Sequence, residues 1–454
     1  MHPAALPFSF TFMFATLSQI HSFIHCMTPR RLSMPHFVAA LVFAWIPVTP
    51  ASAEIQHVIA ISVDGLRGDF LQTFVDTAPG EFQNFVRLRN SGAFTFNARC
   101  DYDYSETVPN HISMITGRPV SQPAGLVDTW HHGITSNAPP VTWTIHANGN
   151  SAVPYKASIF DVVHDRGLST ALFLGKTRLS ILDRSYNATN GAPDVIGDDN
   201  GRDKIDFLQM QDGNTSTLIS TLASQITSNP RNFTFIHITD PDTAGHTSGW
   251  STTVGSTYRN SIKSVDGYLG SIFTALDGQP TLTGRVAIIL TADHGGGGGG
   301  ITNNHIDPIY QENYTIPFFV VAPGVAPGSD LYSIYTNRYY PGTLRPTFAA
   351  AEQPARNTDI ANLSALLLGL PNVPGSFAEP ELKKPLNISR AGNGLTLSWP
   401  RYLTDWSLQV TNDLAAGTWQ NISAGITELS DRFAYTTALG AEPRFYRLRR
   451  PTDP

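Results

Sequence analysis

The run Val58-Ile-Ala-Ile-Ser-Val-Asp-Gly-Leu-Arg67 carries an unbroken apolar segment straight into a carboxylate and a glycine. An apolar run without period-two alternation suits a strand covered on both faces of a parallel sheet. Four further runs share this character: Thr170–Gly175, Phe233–Ile238, Arg285–Thr291 and Ile316–Ala322. Helix-like segments lie between and beside them, at Ser158–Arg166, Ser216–Ser228, Ser256–Leu276 and Thr358–Leu368. The alternation predicts an α/β fold, a doubly wound, mostly parallel sheet with all five runs as parallel strands. Such sheets bind ligands beyond the carboxyl ends of their strands. Polar residues directly after these runs are therefore where chemistry is expected.

The remaining sequence sets the boundaries. Residues 1–53 read as a leader, with Arg30 and Arg31 as a charged start, Phe37–Val48 as the apolar stretch and Ala51-Ser52-Ala53 as a cleavage site; Met27 offers an alternative start. That pattern predicts export to the periplasm or the exterior, and the apolar stretch is too short to span a bilayer. Residues 54–372 form the α/β domain, and the proline-rich 373–385 a linker. Residues 386–454, with short β runs at Leu395–Trp399, Trp406–Thr411 and Phe445–Leu448, form a small all-β module that is expected to contact a cell surface or another protein. Of 30 Lys+Arg the leader takes two, leaving 28 against 36 Asp+Glu. This acidic balance argues against coating nucleic acid, which requires a basic surface. Of the two cysteines, Cys26 falls in the leader, so Cys100 has no intramolecular partner.

Four motifs follow strand ends or open a helix. Asp64 closes the first run, although Asp-Gly is equally a turn pair. Thr107 opens Glu106-Thr-Val-Pro-Asn-His-Ile-Ser-Met-Ile-Thr-Gly117, where it reads as a helix N-cap with Pro109 in the first turn. A helix start also attracts phosphate. Asp242 and His246 stand four apart after the third strand, with Asp240 as a structural competitor. Asp293 and His294 are adjacent after the fourth, before the glycine run 295–300 and His305. Three carboxylates, three imidazoles and a hydroxyl suit two transition ions in O/N sites, with zinc the favoured identity.

Together, Ser62-Val-Asp-Gly-Leu-Arg67, Thr107-Val-Pro-Asn-His111, Pro241-Asp-Thr-Ala-Gly-His246 and Thr291-Ala-Asp-His-Gly295 resemble the nucleotide pyrophosphatase/phosphodiesterase branch of the alkaline phosphatase superfamily. The resemblance spans roughly residues 55–372 and implies an alkaline-phosphatase-like fold. It implies that Asp242, His246 and His305 hold one divalent ion, and that Asp64, Asp293, His294 and the Thr107 oxygen hold the other. His132-Gly-Ile-Thr-Ser-Asn137 is similar to the family's stretch ending in an asparagine that contacts a phosphoryl oxygen, which gives Asn137 that role. Asn110 fits helix-start chemistry better. His305 follows His294 after only eleven residues, a shorter interval than in many nucleotide-cleaving relatives. Thr107 stands where a sulfatase would need Cys or Ser.

The expected activity is hydrolysis of phosphodiesters or nucleotide pyrophosphate bonds in a small phosphorylated substrate, through a phospho-threonine intermediate on Thr107. In that scheme Asn137 and helix-start amides steady the developing charge. Alternatives are a phosphomonoesterase or phosphonate hydrolase of the same superfamily, with Lys176 and Arg178 neutralising an extra anionic group. A non-catalytic surface binding protein is the alternative from another class. Trp130, Tyr155 and Trp250 are candidates for stacking on a base, with core packing as their ordinary role.

Overall fold

The computed structural model describes residues 55–194, 202–377, 379–382, 386–400, 406–414, 418–429, 432–440 and 442–449. The leader and Met27 lie outside them.

Eight strands make the central sheet: β1 (His57–Val63), β2 (Ala93–Arg99), β3 (Thr170–Leu174), β4 (Phe207–Met210), β5 (Phe233–Ile238), β6 (Val286–Thr291), β7 (Thr315–Val321) and β8 (Ser329–Asp330). Their order is β4-β3-β5-β1-β6-β7-β2-β8. The strands of the middle, β1, β3, β5 and β6, are almost wholly buried, as their continuous apolar sequences require. Helices Thr215–Ser228, Thr257–Asp277 and Asp359–Leu367 contribute buried apolar faces to the same core. Ser158 and Ser256 cap their helices by accepting the amides of Asp161 and Arg259.

One expectation is corrected. The run Ile316–Ala322 is not a parallel strand: β7 pairs antiparallel with both β6 and β2. A parallel successor to β6 would need a crossover to the opposite edge of the sheet. Instead, residues 292–314 stay at the edge where β6 ends, and β7 starts back from there. This reversal keeps His305 beside His294, their rings stacked with centroids 3.7 Å apart.

Register does the rest. Val63 of β1 is level with Ile238 of β5, and Ser62 with Thr291 of β6. Asp64, the turn after β5 and Asp293 therefore leave the sheet side by side.

At the C-terminal end are two small antiparallel sheets, of four and three strands, built from Asn387–Ala391, Gly394–Pro400, Ser407–Thr411, Gln420–Asn421, Ile426–Glu428, Arg432–Ala438 and Phe445–Arg449. Trp399 and Leu408 are buried there. Ahead of them, the described part of 373–382 runs along the α/β domain. Phe377 N donates to Gly117 O, and Thr336 N to Glu381 O. Residues 383–385 lie outside the described set.

Candidate active site

Asp64 leaves β1 in a turn whose next residue, Gly65, has φ +70°, and a Cβ there would lie 2.9 Å from Asp242 Cα. Glycine is required both by the left-handed backbone and by this approach. It lets the helix Asp240–Ser248, opened by Pro241, press against the β1 turn. On that helix Asp242 and His246, four apart, share a face.

The side chains gather into two groups. Asp64, Asp293 and His294 form one; Asp242, His246 and His305 form the other, each with its candidate ligand atoms within 4.8 Å of one another. In the first, His294 Nε2 lies 3.4 Å from Asp64 Oδ1 and 3.3 Å from Asp293 Oδ2. In the second, Asp242 Oδ1 is 3.4 Å from His246 Nε2 and 3.5 Å from His305 Nε2.

The hydrogen bonds of these residues fit metal ligands. The Nδ1 atoms of His246, His294 and His305 bond to the carbonyls of Asn303, Gly295 and Ser105 at 3.0, 2.8 and 2.5 Å. A ring that donates from Nδ1 keeps an open lone pair on Nε2. Asp64 Oδ1, Asp242 Oδ1, Asp293 Oδ2 and His294 Nε2 are buried with no hydrogen-bond partner among the described residues. Orphaned acceptors of this kind are costly unless a cation faces them. The residues therefore fit two divalent ions.

The same crowding sets the charges. Burial pushes the Asp293 carboxyl well up, and repulsion from Asp64 and Asp242 adds to it. Burial also acts on Asp64, but the Lys176 ammonium and a bond from His237 outweigh it and hold that carboxyl well below the usual range. His305 is pushed down to about 2, first by burial and then by His294.

Thr107 is the first residue of a wholly buried helix, Thr107–Thr116, that ends at Gly117 in the left-handed region. The N-cap expectation is corrected: Glu106 occupies that position, and no side chain caps the start from within the motif. The cap comes from far away, because Val108 N donates to Asn137 Oδ1 at 2.9 Å. That amide is thus occupied, while the Asn137 amide group keeps its own N–H donors. Ser105 holds His305 through two bonds, from His305 Nδ1 to its carbonyl and from its hydroxyl to the His305 carbonyl. The Thr107 segment is therefore fastened to one ligand group directly.

Sequence reasoning left several supporting residues unassigned. His237 accepts Gly175 N on Nδ1 and so donates from Nε2 to Asp64 Oδ2, at 2.9 Å. His111 donates from Nδ1 to Thr107 O at 2.7 Å and accepts Ser62 Oγ on Nε2 at 2.9 Å. Asn357 donates to Asp293 O and to Asn110 Oδ1. The available signal was an imidazole inside an apolar strand, Phe233-Thr-Phe-Ile-His-Ile238, which cannot be buried without partners. Asp240 is structural: it accepts the hydroxyls of Thr215 and Tyr268. Asn110 is likewise structural, tied to backbone groups of Asp101, Tyr104 and Glu106 and to the Asn357 amide.

Lys176 and Arg178 come to different places. Lys176 Nζ lies 2.7 Å from Asp64 Oδ2 and 2.6 Å from Asp242 Oδ2, so it bridges the two ligand groups and is not turned to solvent. Arg178 lines a hollow beside them. Of the three aromatic candidates, Trp130 meets Phe377 and Tyr155 stacks on His146. Trp250 is buried behind the site, edge-on to the His246 and His305 rings and with its Nε1 on Gly65 O.

Residues 58–315 match the model of the type I phosphodiesterase / nucleotide pyrophosphatase family, and the chain belongs to that family. It is 28% identical over 257 residues to mouse (Mus musculus) ectonucleotide pyrophosphatase/phosphodiesterase family member 3, covering 55% of this chain and 26% of that protein. The rat (Rattus norvegicus) counterpart is 27% identical over 251 residues, with the same coverage. The chain thus spans about a quarter of the length of the curated relatives it matches. Among solved structures, murine ectonucleotide pyrophosphatase/phosphodiesterase 5 is similar over 70% of this chain and 96% of its own, at 15% identity and TM-score 0.44. A Vibrio parahaemolyticus protein of the alkaline phosphatase superfamily is similar over 83% and 84%, at 13% identity and TM-score 0.45.

Proposed function

We propose that this protein hydrolyses phosphodiester or nucleotide pyrophosphate bonds with two divalent ions, zinc the favoured identity, and Thr107 as nucleophile. One observation carries the reading. Two Asp/His groups, each with open Nε2 lone pairs and orphaned carboxylate oxygens, sit at one sheet edge beside a helix that starts at a threonine.

Asp242, His246 and His305 would hold one ion, and Asp64, Asp293 and His294 the other, with the Thr107 oxygen completing the second set. Bound there, the ions supply positive charge for the phosphoryl oxygens and ease loss of the hydroxyl proton. The Thr107 Oγ attacks phosphorus in line; the bond to the leaving oxygen breaks, and a phosphorylated threonine forms. Water then attacks the same phosphorus and frees Thr107. The Asn137 amide, positioned by its bond to Val108 N, donates to the charged oxygen. His237 and His111 keep Asp64 and the Thr107 carbonyl in place. The leader pattern at residues 1–53 supports action outside the cytoplasm, and no helix among the described residues is long and apolar enough to cross a membrane.

The test is turnover of a chromogenic phosphodiester by metal-loaded protein. Thr107→Ala is expected to lower kcat by at least about 10³-fold while metal content is retained. Undiminished turnover in that variant would overturn the role of Thr107.

A further inference from the structure

Beside Lys176 lies a hollow of about 430 Å³, within the range of small-ligand sites. Its walls include Ala138, next to Asn137, and Thr243, next to Asp242; Lys176, Arg178 and Asp212 supply its charge. The short turn Thr177–Leu179 that carries Arg178 packs on the Thr107 helix. The hollow thus adjoins the candidate site through Lys176, close enough to receive a group esterified to the reacting phosphorus.

Its chemistry is not that of a base-binding slot. Among the described residues no aromatic ring lines it, and Trp130, Tyr155 and Trp250 stand outside its walls. A nucleobase gains most of its affinity from such rings. The wall carries hydroxyls and charge instead. The Lys176 ammonium is committed to Asp64 and Asp242. The exposed Arg178 guanidinium feels the Glu106 carboxylate through space but makes no hydrogen bond to a described residue, which leaves its donors for a ligand. Asp212, which accepts the Thr177 hydroxyl at 2.7 Å, retains acceptor capacity for an alcohol.

Resting on the hydrolase reading above, we propose that this hollow selects phosphodiesters whose second alcohol is compact, hydroxylated and itself anionic, with Arg178 as the specificity residue. The anion is a carboxylate or a phosphate, both of which fit a guanidinium fork.

The test uses metal-loaded full-length protein and four 4-nitrophenyl phosphodiesters, which share one leaving group and differ in the other alcohol: ethyl, 2-carboxyethyl, 2-phosphoethyl and 5′-thymidyl. In each, the bond from phosphorus to 4-nitrophenolate breaks as the bond to Thr107 Oγ forms, and the threonine proton passes to solvent. At least one anionic ester is expected to exceed the ethyl ester in kcat/KM by about tenfold, with Arg178→Gln collapsing that ratio towards one. The carboxylate and phosphate arms tell which anion is preferred. A thymidyl ester that surpasses both, or an anionic advantage that survives Arg178→Gln, overturns the proposal. Cleavage of the ethyl ester without anionic preference overturns it alone and leaves the hydrolase reading standing. Should no ester turn over, the hydrolase reading fails. Thermal shifts of Thr107→Ala protein then decide this proposal: a larger shift with the anionic esters supports it, and equal shifts overturn it.

Discussion

His246 Nε2 and His305 Nε2 face each other at 3.1 Å, with both Nδ1 atoms tied to backbone carbonyls. Neither nitrogen can donate to the other in that tautomer, so a cation between them and Asp242 Oδ1 relieves two lone pairs and a carboxylate at once. His305→Ala is expected to reduce bound metal from about two ions per chain to about one. Elemental analysis of purified protein, with circular dichroism to verify folding, measures it. Two ions retained in a folded variant would exclude His305 as a ligand.

Asn137 reaches across 29 residues of sequence to cap the Thr107 helix. Asn137→Ala is expected to cost about 1 kcal/mol of stability through the uncapped Val108 amide. It should also lower kcat by about 10²-fold through loss of the side-chain donor. Asn137→Asp restores the cap acceptor without that donor, so stability should recover while kcat stays low. Recovery of both would show that the residue serves only the helix.

Trp250 fills the space left by two glycines. A Cβ at Gly296 would lie 2.2 Å from its ring, and one at Gly245 would lie 2.5 Å away. Gly296→Ala should destabilise the protein by about 1–3 kcal/mol through overpacking. In a Trp250→Leu background the same change should cost less, a coupling that denaturant unfolding of the four proteins can measure. Additive costs would mean that the ring is not what constrains Gly296.

His132 is fully buried, accepts Ile134 N on Nδ1 and bonds Ser113 Oγ through Nε2, and burial pushes its pKa down to about 3. The unfolded chain binds that proton near pH 6.5, well before the folded one does. The stability tied to neutral His132 is therefore complete above about pH 6.5 and is lost as pH falls towards 3, at about 1.4 kcal/mol per pH unit. His132→Gln in chelator-treated protein should flatten stability between pH 6.5 and 4.5 by roughly that slope. An unchanged slope would assign the acid sensitivity to other groups.

Much of the fold was legible because local patterns are strong here. The β1, β5 and β6 runs are buried on both faces and hence apolar throughout, and Ser158 and Ser256 announce their helices. β2 and β4 were passed over, since Ala93–Arg99 and Phe207–Met210 mix polar and apolar residues at the flank of the sheet. The direction of β7 was misjudged for a different reason. Its composition is that of any buried strand, and only the path of residues 292–314 determines which way it runs.

By itself, the sequence determined the α/β class and the carboxylates and imidazoles that follow the strands, because strand ends and ligand chemistry are both written in neighbouring residues. Tertiary structure alone decided how they are shared. The β1–β5–β6 register set Asp64 beside Asp293, and Gly65 admitted Asp242. It also decided that Thr107 follows the cap position, that Asn137 does the capping, and that Lys176 bridges two carboxylates while Arg178 faces a hollow. Those relationships join residues tens to hundreds of positions apart, and no local pattern encodes a distance that only packing creates.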